Sequence, residues 1–204
     1  MLIKIILLIL SYLIGSIPVA LIVGKLVKGI DIREHGSKNM GSTNAGRVLG
    51  KKWGIVVFAF DAMKGFLILS LFTIFKILDP ELHALFTPLV YGIAAILGHV
   101  FPIFAKFNGG KAVATSAGMV LAYNPLFFVI VMTVFLVIVK TTKFVSLSSL
   151  ISVFVAFLLA IFWQIEAIDY YFLGTALVIN VLIIIRHREN IKRIQENTER
   201  KISW

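Results

Sequence analysis

The sequence predicts an all-α, polytopic membrane protein, and three observations carry that prediction. Hydrophobic residues make up 59% of the 204 positions against 15% charged, with a mean hydropathy of +0.98, which excludes an ordinary soluble domain. The apolar residues gather in long runs separated by short polar segments. No series of ten-residue alternating strands, the signature of a transmembrane barrel, is present. At about 20 residues per crossing, the length holds roughly six to eight spans and little else, so any chemistry sits in the bundle or its loops. The chain has no cysteine, which excludes disulfides, thiolate metal sites and a thioester intermediate on the protein. Its net charge of +10 points to cytoplasmic loops, anionic lipid or an anionic ligand before nucleic acid.

Leu2 to Val23 is an apolar run long enough to span. It reads as a membrane helix rather than a cleaved signal, because it is too long, lacks a small-residue cleavage site and precedes seven basic residues. Those seven, Lys25 to Lys52, lie in a glycine- and asparagine-rich segment ending near Trp53. A second span, Gly54 to Leu78, leads to Asp79-Pro80-Glu81, and a third, Ala84 to Ala105, returns to Lys106-Phe-Asn-Gly-Gly-Lys111. The stretch Ala112 to Tyr123 is only 12 residues before Asn124-Pro125, about 18 Å as helix and too short to cross alone. Gly109-Gly110 therefore reads as non-helical backbone dipping into the protein, which membrane depth allows only where protein or a wet cavity surrounds it. Leu126 to Val139, Val145 to Phe162 and Tyr170 to Ile185 complete seven crossings ahead of a basic tail.

Assigned alternately, the cytoplasmic segments 25–53, 106–111, 140–147 and 186–204 hold 17 of the 20 Lys and Arg. The outer turns carry Asp79, Glu81, Glu166 and Asp169 and no Lys or Arg. The N-terminus is then outside and the C-terminus inside, with Lys4 the one dissenting charge. The whole chain, 1–204, reads as a single membrane-embedded domain.

Three cytoplasmic segments have a texture that orientation alone does not require. Gly36-Ser-Lys-Asn-Met-Gly-Ser-Thr-Asn-Ala-Gly-Arg47 combines three glycines, two asparagines and three hydroxyls with a closing arginine; glycines let backbone amides approach an anion and form a nest around it. A flexible turn-rich loop is the plainer reading. The segment is not a nucleotide-hydrolase phosphate loop, because Arg47 and Val48 stand where Lys and Ser/Thr are needed and no strand precedes it. Lys106 to Thr115 sets two lysines and Gly109-Gly110 before a helix N-terminus, another anion-binding arrangement, or else a glycine hinge with orienting lysines. In Arg186-His-Arg-Glu-Asn190, a continuing helix would place His187 and Asn190 on one face, and a snorkelling basic collar is the alternative. Ser146-Leu-Ser-Ser149 adds a fourth polar patch on that side. Asp61 and Lys64 form an intramembrane i,i+3 pair, read as mutual neutralisation tying its helix into the bundle. His83 reads as solvated and His99 as a packed bundle histidine; His35, His99 and His187 lack metal-ligand spacing.

These segments resemble the PlsY family, the bacterial acyl-phosphate:glycerol-3-phosphate acyltransferases. The resemblance covers nearly the whole chain: Gly15-Ser-Ile-Pro18, the Gly36 to Arg47 loop, Asp61-Ala-Met-Lys-Gly65, Gly98-His-Val-Phe-Pro102, Lys106 to Thr115, and Arg186 to Arg193. Lys38 and Ser42 depart from the expected small residues, Ala112 stands where glycine is usual, and Asn197 replaces a glycine in the tail. A methyl group at Ala112 is the departure able to crowd a phosphate. The resemblance implies that the sn-1 hydroxyl of glycerol 3-phosphate attacks an acyl phosphate, giving lysophosphatidic acid and phosphate in the first acylation of phospholipid synthesis. It implies no cofactor and no metal, a bacterial cytoplasmic membrane, an active site facing the cytoplasm, and as partners the two substrates, membrane lipid and the soluble enzyme that makes acyl phosphate. An activated mixed anhydride needs no strong side-chain nucleophile, so direct transfer fits a chain without cysteine.

By matching position, Ser37, Arg47 and Lys106 are expected to bind phosphate and His187 and Asn190 to orient glycerol 3-phosphate. Thr43, Asn44 and Ser149 are expected to support the polar site, and Asn108, Gly109, Gly110 and Lys111 to hold the acyl phosphate. The acceptor's own phosphate, or His187, is expected to take the hydroxyl proton. The His-x4-Asp motif of the soluble-type acyltransferases is missing, since Met40, Pro88, Phe104 and Lys192 lie five residues after the four histidines. A secondary transporter or channel for a small phosphorylated anion is the rival reading, but it needs a midplane site with polar access from both faces, and the candidate ligands cluster at one rim. The topology is checked by single cysteines at Ser42, Glu81, Glu166 and Asn197: an impermeant reagent outside should label the second and third only, and outside labelling of Ser42→Cys would overturn the orientation.

Overall fold

The structure is a computed structural model that describes residues 2–78, 87–163 and 169–202. Ten α-helices account for it: α1 Leu2–Gly15, α2 Val19–Lys28, α3 Ser42–Leu49, α4 Lys51–Leu78, α5 Pro88–Val100, α6 Val113–Tyr123, α7 Pro125–Thr142, α8 Val145–Phe162, α9 Tyr170–Arg186 and α10 Arg188–Gln195. Five stretches are long and apolar enough to cross a membrane, and a sixth is the bent pair α9 and α10. Among the described residues this gives five or six spans, and the short fourth crossing expected from sequence falls on α6, an apolar helix too short to cross alone. Asp79, Glu81, His83 and Glu166 lie outside the described residues.

Two compact units form, Met1–Tyr123 and Asn124–Trp204. In the first, helices meet through small residues, as expected where lipid removes the hydrophobic drive for association. A Cβ on Gly118 of α6 would overlap Ala62 O of α4, and one on Gly65 of α4 would overlap Thr115 O of α6. Gly15 and Gly98 make the same close approach between α1 and α5. Phe72 of α4 stacks on Tyr91 of α5 at 3.9 Å. In the second unit α7, α8 and α9 pack in sequence. Asn124 Oδ1 accepts Phe127 N at 2.9 Å and Asp169 Oδ1 accepts Phe172 N at 3.0 Å, capping α7 and α9.

Three expectations need correcting. The first span is present, as Leu2–Lys28, but it is not one helix: α1 ends at Gly15 and α2 resumes at Val19, because Pro18 has no N–H to continue the helix. The glycine-rich cytoplasmic segment is not all loop, since Ser42 to Leu49 is the helix α3, held close to α4 where Gly46 faces Gly54. The last span does not run straight on through the tail; it bends by 56° at His187, which ends α9 and precedes α10.

Close packing at Gly118 predicts an asymmetry between two helical glycines. Gly118→Ala must push α4 and α6 apart and should cost about 1–3 kcal/mol. Gly174→Ala in α9 meets nothing within 4 Å and should be neutral or stabilising by up to about 1 kcal/mol, because alanine favours helix over glycine. Thermal unfolding of both variants in one detergent checks this.

Candidate active site

The Gly36 to Arg47 segment is organised around one asparagine. Asn44 is 1% exposed; its Nδ2 contacts Ile32 O, His35 O and Asn39 O at 3.0–3.2 Å, and its Oδ1 accepts Ser37 N at 2.7 Å. One side chain thereby fixes both the carbonyls and the Ser37 amide, so the backbone enters α3 in a single conformation. Gly36 is required at the tightest point: its φ is +62° and a Cβ would overlap Asn44 Oδ1. Asn44 was expected to support the polar site, and its amide holds the loop itself; Ser37 and Thr43 are half-buried beside it, and Arg47 is exposed in the last turn of α3.

The second segment follows a short 3-10 turn, Ile103–Ala105. Lys106 and Phe107 both have positive φ, 55° and 59°, a conformation that costs non-glycine residues roughly 1–2 kcal/mol each. This double reversal leaves Lys106 and Asn108 exposed and turns Gly109 and Gly110 inward, where both are buried. Asn108 Nδ2 donates to Lys106 O at 3.2 Å, Gly110 N donates to His99 O at 3.1 Å, and Lys111 is half-buried. The inward, non-helical path expected from sequence is therefore present. Ala112 is fully buried with φ 69°, so its methyl packs against protein. Lys38 and Asn197 are also left-handed, φ 59° and 56°; three of the four departures from the family pattern thus fall where glycine is the easiest residue. At the start of α6, the hydroxyls of Thr115 and Ser116 are buried without a hydrogen-bond partner among the described residues; neither carried an assigned role in the sequence.

Arginine 33 joins the two segments. It grips Asp31 through Nε and Nη2 at 2.6–3.2 Å and donates from Nη1 to Ala105 O at 3.2 Å. The Arg33 hydrogen bond pulls the Asp31 carboxyl down to about 2 against the opposing effect of burial. Ala105 also belongs to one apolar cluster with Ile32, Met40, Ala45 and Leu49. The first unit therefore brings the Ser37–Arg47 segment and the Lys106–Lys111 segment together.

The second unit holds the remaining candidates. His187 is 3% exposed and its Nδ1 lies 2.8 Å from Ile183 O; a carbonyl only accepts, so Nδ1 carries the proton and Nε2 is the basic nitrogen of the neutral ring. Asn190, 6% exposed, donates from Nδ2 to Glu199 Oε1 at 2.7 Å. Glu199 also accepts from Ser146 Oγ at 2.7 Å and from Arg193 Nε at 2.7 Å, and its side chain is only 6% exposed. Burial alone would raise the Glu199 pKa, but the bonds from Ser146, Arg193 and Asn190 and the Arg193 charge outweigh it, holding the carboxyl below its usual range. No local pattern in the chain points to this hub. Ser149, expected in the polar site, is buried and donates to Val145 O of its own helix at 2.9 Å, leaving its oxygen only as an acceptor.

The fold and the two glycine-bearing segments are those of a helical membrane protein with glycine- and cation-rich loops at its span ends. The chain belongs to the family described as glycerol-3-phosphate acyltransferase, whose model matches residues 5–197. It is 52% identical over 198 residues to the glycerol-3-phosphate acyltransferase of Bacillus velezensis and 51% identical to that of Bacillus subtilis, covering 97% of each chain in both cases. It is also similar to the crystal structure of PlsY, an integral membrane glycerol 3-phosphate acyltransferase, in its glycerol 3-phosphate form. That match has TM-score 0.86 and 39% identity, and covers 98% of this chain and 96% of that one. The lysophosphatidic acid form matches with TM-score 0.83 and 38% identity over 98% and 95%. The protein is thus a membrane acyltransferase, and the transporter reading is set aside.

Glu199 gives a pH prediction with a definite sign. Its pKa is lowered in the folded protein, so it stabilises the fold above its ordinary value of 4.5, and that stabilisation is lost as pH falls through the lower native value. Glu199→Gln should flatten this acid limb of the stability profile and lower stability at pH 7. Thermal midpoints of both proteins from pH 7 down to the acid limit check it.

Proposed function

We propose that this acyltransferase moves a fatty acyl group from acyl phosphate to the sn-1 hydroxyl of glycerol 3-phosphate, forming lysophosphatidic acid and inorganic phosphate at the start of phospholipid synthesis. The observation that carries this reading is the joining, by Arg33 and the Ala105 cluster, of two segments that each present cations and backbone amides. Both reactants and the leaving group carry phosphate, so such donors stabilise charge throughout the reaction. In the transfer the sn-1 oxygen bonds to the acyl carbon and the acyl carbon–phosphate oxygen bond breaks. The electron pair leaves on phosphate, and the hydroxyl proton passes to the acceptor's own phosphate, with His187 Nε2 as the second acceptor.

Ser37, Arg47 and Lys106 are assigned to phosphate binding, and Asn108, Gly109, Gly110 and Lys111 to the acyl phosphate. His187 and Asn190 orient glycerol 3-phosphate, while Thr43, Asn44 and Ser149 support the polar site. The acyl chain lies among apolar helices, with its head at the cytoplasmic face of a bacterial cell membrane. The N-terminus is outside, and the soluble enzyme that makes acyl phosphate supplies the donor at that face.

Two tests follow. Purified protein in lipid should release phosphate and form lysophosphatidic acid from acyl phosphate plus glycerol 3-phosphate; robust transfer from acyl-CoA would sink the donor assignment, because nothing in the site activates a poorer leaving group. Arg47 and Lys51 lie in neighbouring helices close in sequence, and charge counting does not separate them. Only Arg47 closes the glycine-rich segment, where a planar guanidinium can bind phosphate through two parallel bonds. Arg47→Lys should lose about 2–4 kcal/mol of transition-state stabilisation, roughly 30- to 1000-fold in rate, while Lys51→Ala stays within about 3-fold. The reverse ranking at equal protein in membranes would displace the phosphate site from this segment.

A further inference from the structure

Three buried ionisable side chains that the proposed transfer does not use meet inside the first unit. Lys64 Nζ donates to Asp61 Oδ1 at 2.7 Å and to Ile17 O at 2.6 Å, and His99 Nδ1 lies 3.5 Å from the same Asp61 oxygen. Asp61 is 2% exposed and Lys64 and His99 are each 7% exposed. A buried lysine and aspartate can neutralise one another, which accounts for two of the three. The third member and the direction in which it extends the network are not explained by neutralisation.

His99 touches both glycines of the second segment. Its carbonyl accepts Gly110 N at 3.1 Å. A Cβ at Gly110 would overlap the ring at Nε2, and a Cβ at Gly109 would overlap the His99 carbonyl. Ring and backbone of one residue therefore form the platform on which Gly109-Gly110 lies. At its other end the network begins at the first-span break, because the Ile17 carbonyl beside Pro18 accepts from Lys64. A small void bordered by Ile17, Met40, Asp61, Lys64, His99 and Gly110 brings in the first loop as well through Met40.

We propose that Asp61, Lys64 and His99 are positioning residues: Lys64 anchors the pair to the broken first span, Asp61 sets the His99 ring, and the ring fixes the Gly109-Gly110 backbone in the conformation that receives the donor phosphate. The ligand part of this proposal rests on the reading of function above. None of the three touches substrate. Their removal should therefore weaken donor binding selectively, which a purely structural pair would not do.

The experiment uses the full chain in lipid, with acyl phosphate and glycerol 3-phosphate varied separately. His99→Gln and Asp61→Asn should each raise KM for acyl phosphate about 10-fold, with KM for glycerol 3-phosphate within about 2-fold of the parent. Gly110→Ala should give the same signature, and combined with His99→Gln it should be less than additive, because both release one loop. A readout independent of activity comes from Ala112→Cys, a fully buried site in a chain without cysteine. Adding His99→Gln to it should speed thiol labelling about 10-fold, while a cysteine at buried Ala45 is labelled at a rate within about 2-fold of that in the parent. If Asp61→Asn fails to accumulate, Asp61→Asn with Lys64→Met leaves no uncompensated charge and takes its place. An unchanged acyl-phosphate KM in His99→Gln, or unchanged labelling at position 112, overturns the relay. A parent that turns over no acyl phosphate overturns the donor assignment instead, and labelling then decides the relay by itself.

Discussion

Backbone that leaves the helix inside a membrane must find every hydrogen-bond partner within the protein, and the irregular segments of this chain are arranged around that constraint. At the Pro18 break, Lys64 reaches the Ile17 carbonyl. At Gly109-Gly110, the His99 carbonyl takes the Gly110 amide. Between the first two spans, the irregular loop is held in a similar way by Asn44, whose Nδ2 contacts three carbonyls and whose Oδ1 accepts one amide. In the tail, Glu199 gathers Ser146, Asn190 and Arg193. Lys64 and Asn44 are held away from solvent and hold backbone that a helix would have held by itself, whereas Glu199 ties together side chains of α8 and the tail. Under the proposed function, segments held this way present cations and amides in one arrangement without further ordering when a ligand arrives, which is what electrostatic stabilisation of a developing charge requires.

The same constraint explains why glycine recurs in the loops and why its replacements are tolerated. Lys38, Ala112 and Asn197, which stand where glycine or a small residue is usual, hold a left-handed φ, and so do Lys106 and Phe107, each at a cost of roughly 1–2 kcal/mol for a residue with a Cβ. Strain of that size survives only where neighbouring contacts determine the conformation. The Arg33 bond to Ala105 O and the Asn108 bond to Lys106 O surround the Lys106 turn in this way.

The spans were legible because they rest on composition: long apolar runs, the Asn124-Pro125 stop and the shortness of 112–123 are all read within one segment. The inward path of Gly109-Gly110 followed from the same arithmetic. The break in the first span was hidden because hydropathy averages across Pro18, and α3 was hidden because Ser42, Thr43, Asn44 and Gly46 are weak helix formers whose helix is fixed by packing on α4. Asp61 and Lys64 are recognisable as a pair from their i,i+3 spacing, whereas His99 joins them from another helix. Glu199 meets Ser146 across 53 residues, after a left-handed turn at Asn197 that local pattern does not specify. Of the candidate site, then, the glycine- and cation-rich segments were legible and the side chains that hold them in place were not.

The proposed reaction, with phosphate on both reactants, and a chain without cysteine lead to one claim about the chemistry: the acyl group passes directly between two substrates bound at the same time. Initial rates with acyl phosphate and glycerol 3-phosphate both varied, in lipid, test it most directly. Intersecting double-reciprocal lines, with no phosphate released before glycerol 3-phosphate is added, are the expected result; parallel lines with a stoichiometric burst of phosphate from acyl phosphate alone would show an acyl-enzyme and contradict it.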